Sequence, residues 1–163
     1  MDDEDREAII ATFRSDGGGL AYVIGMDHLE RSHCYTFGWS VSFDLPELIA
    51  FGTQAMVFRV MPEAFDAFVD AVDGGIAIED GACWPVQVNG HDLVGRFVDQ
   101  SRIDAALFDN ALLCRDAGLA GLPPAYQLFW ADEAGRYPWQ EGCSDFCRAL
   151  QPLLYLPLTL PPT

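Results

Sequence analysis

The sequence contains no lysine: all nine of its basic residues are Arg, set against 25 Asp and Glu, for a formal net charge of −16. This absence removes Schiff-base chemistry and the phosphate-binding lysine of a P-loop. So few cations also argue against direct binding of nucleic acid or of an anionic membrane surface, both of which would repel the chain. There is no Cys-x-x-Cys; the five cysteines, at 34, 83, 114, 143 and 147, are odd in number and irregular in spacing. They suggest neither a disulfide framework nor a zinc site, and a reducing cytoplasm is the simplest setting. No apolar run is long enough to span a bilayer, and Met1-Asp2-Asp3-Glu4-Asp5 is the opposite of a basic signal-peptide start. Neither a Gly-x-Ser-x-Gly elbow nor a His-x-x-x-His pair occurs, and His28, His33 and His91 are the only imidazoles.

What is present is core-forming material. Half of the 163 residues are hydrophobic, with 11 Phe, 5 Tyr and 4 Trp. A chain of this length buries roughly 70% of its unfolded surface, so one domain over residues 1–163 needs no metal, cofactor or disulfide to fold.

The pattern along the chain predicts an α+β fold with a mostly antiparallel sheet and flanking helices. Residues 3–14 read as a helix with acids in its first turn, stopped by Gly17-Gly18-Gly19. Strands are expected over 20–26, 34–43 and 47–51. Residues 53–72 carry helical spacing, with Pro62 either kinking one helix or opening a second. Further strands are expected at 76–78, 85–88, 92–98 and 126–130, with Asn89-Gly90 as a hairpin turn. Ser101 is the expected cap of a helix over 101–117, ended by Gly118. A last helix spans 144–154, and the tail from Pro157 to Thr163 reads as extended. The glycine run precedes a strand instead of opening a helix, so it reads as a turn and not as a phosphate cradle.

Three segments carry a family resemblance. Tyr35-Thr36-Phe37-Gly38-Trp39 resembles a Tyr-Thr-Ile-Gly-Leu strand, and Pro46-Glu47-Leu48 resembles a Pro-Glu-Leu motif. Trp130-Ala131-Asp132-Glu133-Ala134-Gly135-Arg136-Tyr137-Pro138-Trp139 is similar to a Trp-x-Asp-x-x-Gly-x-x-Pro-Trp ending. In this order they resemble the bacterial domain-of-unknown-function family 4262, over roughly residues 18–142. The resemblance implies an α+β fold and supplies no catalytic residues. Phe37 and Trp39 stand where relatives carry smaller aliphatics, and Pro62 interrupts a helix that relatives leave unbroken.

Two sets of candidate residues follow. The first is an acidic stripe: Glu63, Asp66, Asp70 and Asp73 are spaced three, four and three, which places them on one helical face opposite Phe65, Phe68 and Val72. Glu79 and Asp80 extend it, and no basic residue intervenes between Arg59 and Arg96. Asp70 and Asp73 near the negative end of the helix dipole cost about 0.3–1 kcal/mol each, so the stripe does not serve its own helix. A solvated face explains it, and so does a cationic partner. The second set is Thr36, Glu47, Trp130, Asp132, Arg136 and Trp139, polar groups near an aromatic floor that suit a small ligand. The plainer reading has Asp132 capping a turn, Arg136 pairing with an acid and Trp139 locking a corner. A Cys83–His91 pair across strands stays open, whereas His33 and Cys34 point to opposite faces and Cys34 reads as a buried small hydrophobe.

The expected function is therefore a non-catalytic acidic binding domain for a basic protein, for instance one that neutralises a toxin. The alternative is a small-molecule-binding domain or small enzyme built on the second set, with Glu47 or Asp132 as base and Arg136 holding an anion.

Overall fold

The structure is a computed structural model that describes residues 3–27, 30–116 and 123–158. Its elements in order are α1 (Asp3–Asp16), β1 (Gly19–Val23), β2 (Ser32–Phe37), α2 (Trp39–Ser42), β3 (Glu47–Gly52), α3 (Gln54–Arg59), α4 (Met61–Asp73), β4 (Cys83–Val88), β5 (His91–Phe97), α5 (Ala105–Asp116), β6 (Ala125–Phe129) and α6 (Asp145–Leu150). The strands form one sheet in the order β1-β2-β3-β6-β5-β4. Every neighbouring pair is antiparallel except β3 and β6, which run parallel. The mostly antiparallel α+β architecture expected from the sequence is the one observed.

Helices cover both faces of the sheet, and this explains why β2, β3 and β6 are buried at every residue. Successive side chains of a strand point to opposite faces. On one face Cys34, Leu48, Ala50 and Leu128 pack with Val57 of α3, Met61, Phe65 and Phe68 of α4, and Leu150 of α6. On the other, Tyr35, Ile49, Phe51 and Ala125 pack with Phe108 and Ala111 of α5 and with Ile9 and Phe13 of α1.

Several local expectations change. The segment 34–43 is not one strand: β2 stops at Phe37, and Gly38 turns the chain into α2 with φ 85. A Cβ there would lie 2.8 Å from the Gly17 carbonyl oxygen and 2.7 Å from the Phe13 ring, so glycine is required by both conformation and space. Pro62 sits in the first turn of α4, where its missing N–H costs nothing, and the pattern over 53–72 divides into α3 and α4. Residues 76–78 form no strand. Asn89 and Gly90 both have positive φ, as a tight primed turn demands. Ser101 does not cap α5; it lies in a 3-10 turn, and Asp104 Oδ1 instead accepts from the N–H groups of Ala106 and Leu107. The last helix is shorter than expected, with Ser144 as its N-cap and Gln151 beyond its end. His28, Gly118 and the tail after 158 fall outside the described residues. Among the described residues no helix is long and apolar enough to cross a membrane.

Candidate functional site

Asp66, Asp70 and Asp73 of the acidic stripe border a groove, and Glu63 lies outside its lining. Glu63, Asp66, Asp70 and Asp73 are all exposed on α4, whose other side buries Met61, Ala64, Phe65 and Phe68. Across from α4 stands the corner made by α2 and the turn after it. A groove of about 820 Å³ runs between them. Its apolar lining is Trp39, Phe43 and Leu45 from the corner, with Val69 and Val72 from α4. Val72 is thus half-buried beside the carboxylates rather than opposite them. Asp66, Asp70 and Asp73 line one wall, and Asp44 lines the other. Asp44 adopts a left-handed backbone (φ 56), which Asp tolerates better than most residues. No ion pair among the described residues neutralises these four. Nor do three of any His, Cys, Asp and Glu among the described residues converge as metal ligands.

The outlying members of the stripe behave differently. Asp80 is held by Arg96 at 3.0 Å and also accepts from the Phe97 N–H at 2.9 Å. These contacts hold its carboxyl below the usual carboxylate range, despite partial burial that works the other way. Asp80 is therefore matched within the molecule, unlike the α4 carboxylates. Glu79 is exposed, and its backbone carbonyl accepts from the Tyr126 hydroxyl at 2.6 Å.

The second candidate set is divided among separate locations. Thr36 and Glu47 do meet: the Thr36 hydroxyl donates to Glu47 Oε2 at 2.9 Å and accepts from the Leu48 N–H at 2.8 Å. Glu47 Oε1 accepts from the Ser40 N–H at 3.0 Å and from its hydroxyl at 2.8 Å. Glu47 is 1% exposed. Burial pushes its carboxyl above the ordinary value, and the hydrogen bonds from Ser40 and Thr36 oppose that push. The carboxylate thus ties β3 to α2 and so fixes the corner that presents Trp39 and Phe43 to the groove.

Trp130 and Asp132 line a different cavity of about 530 Å³, shared with Met56, Asn89, Ser144 and Phe146. Asp132 Oδ1 accepts from the N–H groups of Ala134 and Arg136, and Oδ2 from that of Ser144. Backbone donors at Arg136 and Ser144 lower its pKa. The Trp130 indole N–H donates to the Phe51 carbonyl at 2.8 Å. Among the described residues Arg136 makes no side-chain hydrogen bond to an acid; its guanidinium donates to the Gly142 carbonyl at 2.8 Å. Trp139 stacks on Tyr137 at 5.2 Å and meets Phe129 edge-on, closing a core corner.

The Cys83–His91 pair does not form. Cys83 faces Val94 in register while His91 faces Val88, at opposite ends of the hairpin. Cys34 is fully buried, and burial pushes its thiol up to about 12.

Sequence reasoning missed Trp39, Phe43, Leu45 and Asp44 as groove residues and Ser40 as the partner of Glu47. The available signal was Gly38, a break inside an apparent strand. No curated protein and no solved structure matches this chain. A family model does match, over residues 12–144, which is most of the chain. The chain belongs to that family, DUF4262, a domain of unknown function.

Proposed function

We propose that this domain is a non-catalytic binding module that docks a basic protein partner in the groove between α2 and α4. One observation carries the reading: unneutralised carboxylates stand on both walls of an apolar-lined groove. Carboxylates near the end of a helix dipole repel one another and the dipole, and a cationic partner removes that penalty on binding. A basic toxin is one partner of this kind. The cavity beside Trp130 and Asp132 supports a second reading, a small-molecule site. The groove reading is preferred because Asp132 already spends both oxygens on backbone donors, while among the described residues no ion pair engages the groove carboxylates.

The test is partner capture by the wild-type chain and by the triple variant Asp66→Asn/Asp70→Asn/Asp73→Asn. Wild type is expected to retain its partner at about 50 mM salt and to release it at about 0.5 M, where the screening length shortens to about 4 Å and longer-range attraction is lost. The variant is expected to lose the partner even at low salt. Its melting temperature should stay level or rise, because two acids leave the unfavourable end of α4. Retention of the same partner by the variant at both salt concentrations would exclude the groove.

A further inference from the structure

We infer that the segment received by the groove is an amphipathic helix with a narrow apolar stripe flanked on both sides by arginine or lysine. This deepens the docking reading and rests on it. The arrangement of the two walls carries the inference. Of the apolar lining, Trp39, Leu45, Val69 and Val72 are half-buried and Phe43 is exposed, whereas Asp66, Asp70 and Asp73 on one side and Asp44 on the other are exposed. An occupant must bring apolar groups to the middle and cations to both edges at once.

An extended strand cannot do this easily. Its side chains alternate between opposite faces, so a strand that buries apolar residues in the groove points its cations away from the acidic walls. A helix does it naturally. Its apolar residues at i, i+3 or i+4 and i+7 make a stripe, and long Arg or Lys side chains on either flank reach sideways while their stems cover the apolar edge. The groove wall also has the matching length. Asp66 to Asp73 spans about two helical turns, or about 10 Å of rise, which matches the repeat of two to three anchors on a partner helix. Charge complementarity selects the occupant further: a second copy of this chain, at −16, is repelled, whereas a cationic helix is attracted.

The experiment titrates the full chain with three synthetic peptides of identical composition, rich in Leu and Arg. One is patterned as an amphipathic helix, one alternates as a strand, and one is scrambled to have no apolar face. The helical peptide is expected to bind at least tenfold more tightly than either other peptide. It should lose at least tenfold in affinity to the Asp66→Asn/Asp70→Asn/Asp73→Asn variant, whose fold is checked by circular dichroism. Equal binding of all three peptides, or preference for the strand pattern, with loss in the variant would overturn the helix inference and leave the acidic groove standing as the docking site. Binding of the helical peptide that is indifferent to the variant, or no binding of any peptide at low salt, would overturn both.

Discussion

Replacing Glu47 by Ala is expected to lower the unfolding free energy by about 2–4 kcal/mol, measured by denaturant titration near neutral pH. The carboxylate, 1% exposed, accepts from three donors, on Thr36 and Ser40. Truncation strands the buried Thr36 hydroxyl and the half-buried Ser40 N–H, and an unsatisfied buried donor costs about 1–3 kcal/mol. Loss of side-chain packing adds to this. The raised pKa marks a desolvation cost that truncation removes, which keeps the net figure below the full sum. Glu47→Gln retains the volume and one acceptor oxygen but turns an amide N–H₂ toward a donor, so it should fall between wild type and Ala. Because Glu47 holds α2, the Ala variant should also weaken groove binding while leaving every groove residue in place. A Glu47→Ala protein as stable as wild type would show that the buried network does not secure this corner.

The second large effect concerns His33 and acid. His33 is 6% exposed, lies 5.0 Å from the Phe51 ring and 6.0 Å from the Tyr35 ring, and its Nε2 has no hydrogen-bond partner among the described residues. Burial, with the nearby Arg31 cation, lowers its pKa to about 4 from an ordinary value of 6.5. The folded state thus keeps His33 neutral where the unfolded chain protonates. Stability from this residue is fully present above pH 6.5 and is lost as pH falls toward about 4, by roughly 3 kcal/mol in all. Glu47 acts in the opposite sense. Its folded pKa is raised, so the pH-dependent part of its contribution is present below the unfolded value of 4.5 and is lost as pH rises through the folded value, while the hydrogen bonds from Thr36 and Ser40 remain. The two slopes oppose one another where their windows overlap, and each must be read as a difference from its own variant. His33→Leu should flatten the fall between pH 6.5 and 4 relative to wild type. An unchanged profile in that variant would place the acid sensitivity elsewhere.

The legible parts of the fold were those specified by local chemistry. The acid-rich first turn of α1, the Asn89-Gly90 turn and the buried run of β3 needed only their neighbours to be identified. The segment Trp39-Ser40-Val41-Ser42-Phe43 was misread because it alternates apolar and polar residues like a strand, while its helical turn is set by distant contacts. Gly38 packs against the Gly17 carbonyl, and Ser40 is held by Glu47. The same cause limited the site. The spacing of Asp66, Asp70 and Asp73 places them together on any helix, so their shared face could be read directly, but not the groove beside it. Asp44 and Phe43 reach the other wall only through the α2 corner. The matching of Asp80 to Arg96 was equally hidden, because 16 residues and an intervening strand turn separate the two. The second candidate set failed as one pocket for a related reason. Its motif residues serve separate parts of the framework: Thr36 and Glu47 beneath α2, Asp132 in its turn, and Trp139 in an aromatic corner.

The most direct test of the proposed docking face is an amide hydrogen-exchange footprint of the full chain, recorded with and without any basic partner it retains at low salt. Slowed exchange confined to residues 39–45 and 66–73, and reversed by added salt, is the predicted result. Protection centred on residues 130–146 with those two segments unchanged would contradict it and move binding to the cavity beside Trp130.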